Sequence, residues 1–158
     1  MALIFDIETN GLVKTMTKIH CIVTYDTEKD EIQTYTKDFH NAVNALERSN
    51  SIIGHNIIGF DIPAIQKLYL FNPSGTIVDT LQEVRRIWPN IENEVDLNKN
   101  TPEELRKRHS LNAWGYRLGN HKGEYNEGWE KFTPKMLEYC IQDVKVTIEL
   151  WKLIISKS

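Results

Sequence analysis

Asp6 and Glu8 stand two residues apart behind an apolar run, in Ala2-Leu3-Ile4-Phe5-Asp6-Ile7-Glu8-Thr9. A run of this kind reads as a buried strand. Side chains two apart on a strand share a face, so the two carboxylates sit side by side. Paired carboxylates at the end of a core strand repel unless a proton or a cation lies between them. The hard cation that suits an all-oxygen site is Mg²⁺ or Mn²⁺. Two further acids stand out. Asp61 is expected at a helix start after His55-Asn56-Ile57-Ile58-Gly59-Phe60, where the helix dipole favours its charge. Asp143 lies in a long terminal helix with Tyr139 one turn before it, so phenol and carboxylate can address one site. Taken singly, each has a plainer reading: a strand-end loop pair, an N-cap, a structural Tyr–Asp contact. The combination is what points to metal chemistry.

These residues need elements to position them. Strands are predicted at residues 2–8, 20–25 and 31–36, the last two joined by a polar hairpin over 26–30. A short helix follows at 41–48, a buried strand at 51–54, a loop at 55–59 and a helix at 61–70, with Pro63 in its first turn. A last short strand at 77–79 leads into a helix at 80–87. Residues 89–108 are polar and charge-mixed and read as an exposed excursion, with one helical turn after Thr101-Pro102. Ser110 is placed to cap a helix through Leu118, ended by Gly119. Thr133-Pro134 starts the terminal helix, whose stripe is expected to be Leu137, Ile141, Val144, Ile148, Trp151 and Ile155. A β-meander followed by alternating helices and strands indicates an α/β fold, a mixed sheet with helices on its faces.

Composition sets the frame. The chain has 158 residues, 41% apolar and 26% charged, with net charge −3. It is expected to form one domain, 1–158, that looks complete as a free-standing unit or an excised piece. The negative charge does not advertise nucleic-acid binding, although an acidic metal site subtracts charge that bound cations restore. No apolar run spans a bilayer and no signal-like segment is evident, so no membrane partner is expected. Cys21 and Cys140 form no metal-spacing motif, and an intracellular, cytoplasmic protein is the default.

In sequence order the acidic segments resemble the three motifs of the DEDD (DnaQ-like) 3′–5′ exonuclease superfamily. Phe5-Asp6-Ile7-Glu8-Thr9 is similar to the first and Asn56-Ile57-Ile58-Gly59-Phe60-Asp61 to the second. Tyr139-Cys140-Ile141-Gln142-Asp143 is similar to the third in its tyrosine form, since the histidine form needs His where position 138 is Glu. The resemblance extends to the proofreading exonuclease domain of family A DNA polymerases of short-tailed phages. It is carried there by Lys18-Ile19-His20-Cys21, Val78-Asp79-Thr80-Leu81, His109–Gly119 and Lys122-Gly123-Glu124-Tyr125. Those polymerases continue for hundreds of residues, whereas this chain stops at Ser158.

The resemblance implies a ribonuclease H-like sheet, its first three strands antiparallel and the rest parallel. It also implies hydrolysis from a 3′ end to nucleoside 5′-monophosphates with two Mg²⁺ (or Mn²⁺). Asp6 would bridge both ions, Glu8 and Asp143 would complete the first site, and Asp61 would hold the second ion through water. Tyr139 would orient the attacking water. Leu12 would wedge against the terminal bases, and Thr9, Asn56, Phe60 and Lys122 are further substrate candidates. Arg106, Lys107, Arg108, Arg117 and Lys122 are candidates for phosphate tracking. Trp114 and Tyr116 read as core residues sooner than base-stacking ones. The implied partners are single-stranded or frayed DNA 3′ ends, with a separate polymerase or other replication proteins beside them. An exoribonuclease similar to RNase D, and a non-catalytic nucleic-acid or polymerase-binding module, are the alternatives.

Overall fold

The computed structural model describes residues 1–121 and 123–158, so the substrate candidate Lys122 lies outside the described residues. Five strands form one sheet: β1 (Ala2–Thr9), β2 (Ile19–Asp26), β3 (Glu31–Tyr35), β4 (Ser51–Gly54) and β5 (Thr76–Asp79). Their spatial order is β3-β2-β1-β4-β5. The first three pair antiparallel, while β4 and β5 join in parallel. The predicted mixed topology is therefore present, with the acid-bearing strand at its centre.

Alternation along β1 divides the core. Leu3, Phe5 and Ile7 pack with Ile22 and Ile52 against α1 (Phe39–Arg48) and α2 (Ile62–Leu68). Ile4 packs with Cys21, Val23 and Ile53 against Cys140 and Val144 of α6 (Pro134–Ser156). Asp6 and Glu8 share the parity of Ile4, so they face α6. Helix caps fall where the sequence places them. Ser110 Oγ accepts the Ala113 N–H ahead of α5 (Leu111–Arg117), Gly119 turns at φ 69°, and Thr133 Oγ1 accepts the Met136 N–H ahead of α6.

Two expectations are corrected. The buried line of α6 runs Met136, Cys140, Val144, Thr147, Leu150 and Ile154, rotated from the stripe expected, and Ile155 is exposed. The helix touches the sheet through Cys140 and Val144, and α3 (Thr80–Ile87), Trp88 and α5 through Leu150 and Ile154. With two neighbours it buries a broad arc, and the largest hydrophobes do not mark its centre. The segment 89–108 is not a free excursion either. It holds short turns at Ile91–Asn93 and Glu103–Leu105 and the one-turn helix α4 (Val95–Asn98), and buries Ile91, Asn98 and Thr101. Arg117 ties it down, donating to Asn98 Oδ1, Leu105 O and Arg106 O. No helix among the described residues is long and apolar enough to cross a membrane.

Asp79, at the end of β5, organises the turn that carries Asp61. Its carboxylate accepts the N–H groups of Asn56 at 2.8 Å, Ile58 at 3.1 Å and Leu81 at 3.0 Å. It thus caps α3 and clamps the chain after β4, where Asn56 takes the left-handed φ of 59° that asparagine tolerates. Removing this acceptor strands three donors, so Asp79→Ala is expected to lower unfolding free energy by about 3 kcal/mol in urea titrations. A loss below roughly 0.5 kcal/mol would show that the turn holds without it.

Candidate active site

The two strand carboxylates meet α6 at Cys140. One oxygen each of Asp6 and Glu8 and the Cys140 sulfur lie within 4.8 Å of one another. The Cys140 thiol donates toward Asp6 Oδ2 at 3.4 Å and the Asp6 carbonyl at 3.5 Å. Tyr139 and Asp143, flanking Cys140 on one face of α6, reach the same place from the helix.

Asp61 comes from the opposite direction. The β1–β4 ladder ends at Ile4–Ile53, and beyond it the Ile7 N–H donates to Asp61 Oδ2 at 3.2 Å. The loop predicted at 55–59 is closed by a wide helical turn, Ile57–Asp61, that runs directly into α2. Asp61 makes no capping bond with its side chain, contrary to the plainer N-cap reading. Only 3% of it is exposed.

Electrostatics show how closely the four acids are gathered. Burial, then the Asp61 charge, pushes Asp6 well above the usual carboxylate range, against the pull of the Cys140 thiol. Glu8 is pushed up to about 11 by burial, followed by Asp6 and Asp143. Asp61 is raised by burial, against the pull of the Ile7 N–H, with Asp79 and Asp143 adding to the rise. Asp143 is raised by burial and by Asp6. The Tyr139 phenol is raised by burial, then by Asp143 and Glu8. Without cations, the cluster keeps protons at neutral pH.

A hard divalent cation suits this donor set. Four carboxyls that repel one another, Glu8 and Asp61 buried and Asp6 and Asp143 half-buried, offer oxygen ligands and lose that repulsion when positive charge enters. The sulfur does not overturn this, because burial and then Cys21 push the Cys140 thiol up, keeping it a protonated donor. Asp6, Glu8, Asp61 and Asp143 are the residues that would hold the cation.

The substrate candidates divide. Thr9 is buried, and its hydroxyl donates to Gly11 O at 2.6 Å. Leu12 stands 74% exposed on the turn beyond, which Lys67 Nζ fixes by donating to Val13 O, Lys14 O and Met16 O. Asn56 is exposed, and Phe60 packs partly into the α1–α2 core. Trp114 is fully buried, as expected of a core residue, while Tyr116 is half-buried and stacks on His121 at 3.9 Å. Arg117 lies over Trp114 at 4.7 Å, its Nε donating to Asn98, its Nη2 to two carbonyls and its Nη1 buried without a partner, which gives it a structural task in place of phosphate tracking. Sequence reasoning missed Asp79 as the clamp, and it missed the Cys140 sulfur at the site. Asp79 carries a readable signal, an acid between a short strand and a helix.

Known proteins match this architecture. A sequence model of the RNase_H_2 family, within the RNase_H superfamily, matches residues 3–155. The chain is 33% identical over 187 aligned positions to the DNA-directed DNA polymerases of Enterobacteria phage T3 and Escherichia phage T7. Each alignment covers 98% of this chain and 26% of the polymerase, so the chain spans about a quarter of these curated relatives. A nuclease solved in its apo form superposes with a TM-score of 0.69 at 18% identity, covering 98% of this chain and 72% of that one. Brucella melitensis NrnC gives 0.67 at 14% identity with the same coverages. E. coli exonuclease I in complex with a dT13 oligonucleotide gives 0.60 at 16% identity, covering 97% of this chain and 40% of that one. At such identities these structures share the fold.

The raised carboxyls fix the sign of a pH effect. In the folded metal-free protein they hold protons that the unfolded chain has lost above its ordinary carboxylate range. That stability is fully present below the unfolded values and is lost as pH rises through the folded ones. Metal-free Tm is therefore expected to fall between about pH 5 and pH 8, and Mg²⁺ or Mn²⁺ to raise it more at the higher pH. Differential scanning fluorimetry across that range checks both. A metal-free Tm that rises steadily would contradict the cluster electrostatics.

Proposed function

The chain belongs to the RNase H superfamily, and from this we propose that it is a metal-dependent 3′–5′ exonuclease of the DEDD type, tyrosine subtype. The observation that carries the reading is the gathering of Asp6, Glu8, Asp61 and Asp143 into one buried cluster beside Tyr139. Four mutually repelling acids have no use in a module that only binds. Two Mg²⁺ or Mn²⁺ held by these residues would activate water, neutralise the phosphoryl oxygens and help the 3′-oxygen depart. NrnC has also been solved with bound Mg²⁺, in a structure of the same fold.

The chain's own residues supply the rest. Asp6 and Glu8 are held by the pairing of β1 with β2, opposite Val23 and Cys21, so the spacing of their backbones is set by the strand. The Ile7 N–H holds the Asp61 carboxylate, and α6 holds Asp143 one turn beyond Tyr139. With its phenol raised by burial and the acids, Tyr139 stays protonated at neutral pH, a donor and acceptor able to orient water rather than a base. Exposed Leu12, on a turn clamped by Lys67, is the residue placed to meet the last bases of a strand. The substrate is a single-stranded or frayed DNA 3′ end. Support for DNA comes from the likeness to the two phage polymerases and from the fold shared with exonuclease I, itself solved with dT13. A replicative polymerase is the partner that this likeness suggests.

Single-stranded DNA and RNA oligonucleotides, 5′-labelled and incubated with Mg²⁺, Mn²⁺ or EDTA, test the reading. Stepwise metal-dependent shortening of DNA is expected. Asp6→Asn should abolish it, and Tyr139→Phe should lower kcat by roughly tenfold to a hundredfold. Shortening of RNA alone would move the substrate to RNA, and no shortening of either would remove the enzymatic reading.

A further inference from the structure

Residues 123–133 precede α6 on the side of the site where Tyr139 lies, and two aromatic rings of this strap lean on that phenol. The Tyr125 and Trp129 ring centroids lie 6.0 Å and 6.3 Å from that of Tyr139, with Trp129 edge-on at 75°. The two strap rings pack on each other at 4.8 Å. All three distances fall within the range of favourable aromatic pairs.

The chain ahead of the strap is tied to α6, and the strap itself is tied in its middle and at its end. Gln142 Nε2 donates to Asn120 O at 2.6 Å and Asn120 Oδ1 at 2.9 Å. His20 on β2 meets the Trp129 carbonyl at 2.7 Å, and since a carbonyl only accepts, its Nε2 carries the proton. The Tyr125 hydroxyl gives its single proton to Gly128 O at 2.7 Å, so the Thr133 hydroxyl, 2.9 Å away, donates to it in turn. Thr133 is the residue that caps α6. Backbone and hydroxyl bonds thus fix the strap and leave its ring surfaces to make the contacts with Tyr139.

On a helix the χ1 of a half-buried tyrosine has two main wells that send the hydroxyl in different directions, and rings packed against the phenol select between them. We propose that Tyr125 and Trp129 are positioning residues for Tyr139, holding its ring in the direction of the carboxyl cluster. Their service to turnover rests on the exonuclease reading; the restraint on the ring rests on geometry alone. Trp129 is 39% exposed, and stacking on a nucleobase is the competing role that the test separates.

Kinetics on single-stranded DNA give the first readout. Trp129→Ala should lower kcat roughly tenfold or more through misaligned Tyr139, with KM little changed, and Trp129→Phe should restore most of it. In a Tyr139→Phe background, Trp129→Ala should cost less than about twofold further, because the group it acts through is gone. Multiplicative losses, or a raised KM with unchanged kcat, would overturn the proposal, the latter assigning Trp129 to base stacking. Trp129→Leu, which keeps apolar bulk without the ring, replaces Trp129→Ala should that variant not fold. Fluorine NMR of fluorotyrosine-labelled protein gives a readout independent of activity. The line absent from Tyr139→Phe should be shifted by the strap rings and move toward the free-tyrosine position in Trp129→Ala or Trp129→Leu. An unmoved line overturns the proposal. A moved line in an inactive parent protein would defeat the exonuclease reading and leave the restraint standing.

Discussion

Mutual repulsion among buried carboxyls is the constraint on which the structure of this chain depends. Asp6, Glu8, Asp61 and Asp143 come from the central strand, the turn after β4 and the terminal helix, three places that only the complete fold unites. Each is raised by burial, and each feels the charge of another. Left to itself the cluster keeps protons, with the Cys140 thiol donating toward Asp6. The same four groups become a cation-binding set as soon as positive charge replaces those protons. A fold that holds such an arrangement stores electrostatic stress where a ligand can relieve it.

Rigid neighbours keep the stress in place. Antiparallel pairing with β2 and parallel pairing with β4 fix β1, and the early end of the β4 ladder frees the Ile7 N–H for Asp61. Asp79 braces the turn that brings Asp61 there. On the other side, α6 packs Cys140 and Val144 into the sheet, which sets the direction in which Tyr139 and Asp143 reach. Sheet pairing, turn and helix converge on the carboxyls, and Tyr125 and Trp129 of the strap over 123–133 pack against the phenol.

Much of this was legible in residue order. Spacing of two on a strand and four on a helix is local geometry, so Asp6–Glu8 and Tyr139–Asp143 could be paired from the sequence, as could the mixed sheet and most helix caps. What escaped depends on tertiary packing. The arc of α6 is rotated because two different surfaces cover it, so that small Cys140 and Thr147 are buried while bulky Ile155 is exposed. Residues 89–108 look solvated by composition, yet Arg117, far along the chain, satisfies their carbonyls. Asp61 was singled out as a site residue, but the Ile7 N–H that holds its carboxylate was not legible, since nothing in its own neighbourhood announces that contact with β1.

The central claim is that protons occupy the carboxyl cluster until cations displace them. Isothermal titration calorimetry of Mn²⁺ into metal-free protein near neutral pH, repeated in buffers of differing ionisation enthalpy, counts those protons directly. With Glu8 held at about 11 and its neighbours also raised, the apparent binding enthalpy should vary with the buffer and report net proton release. An enthalpy independent of the buffer would mean the carboxyls were already ionised, and the account of the site would be wrong.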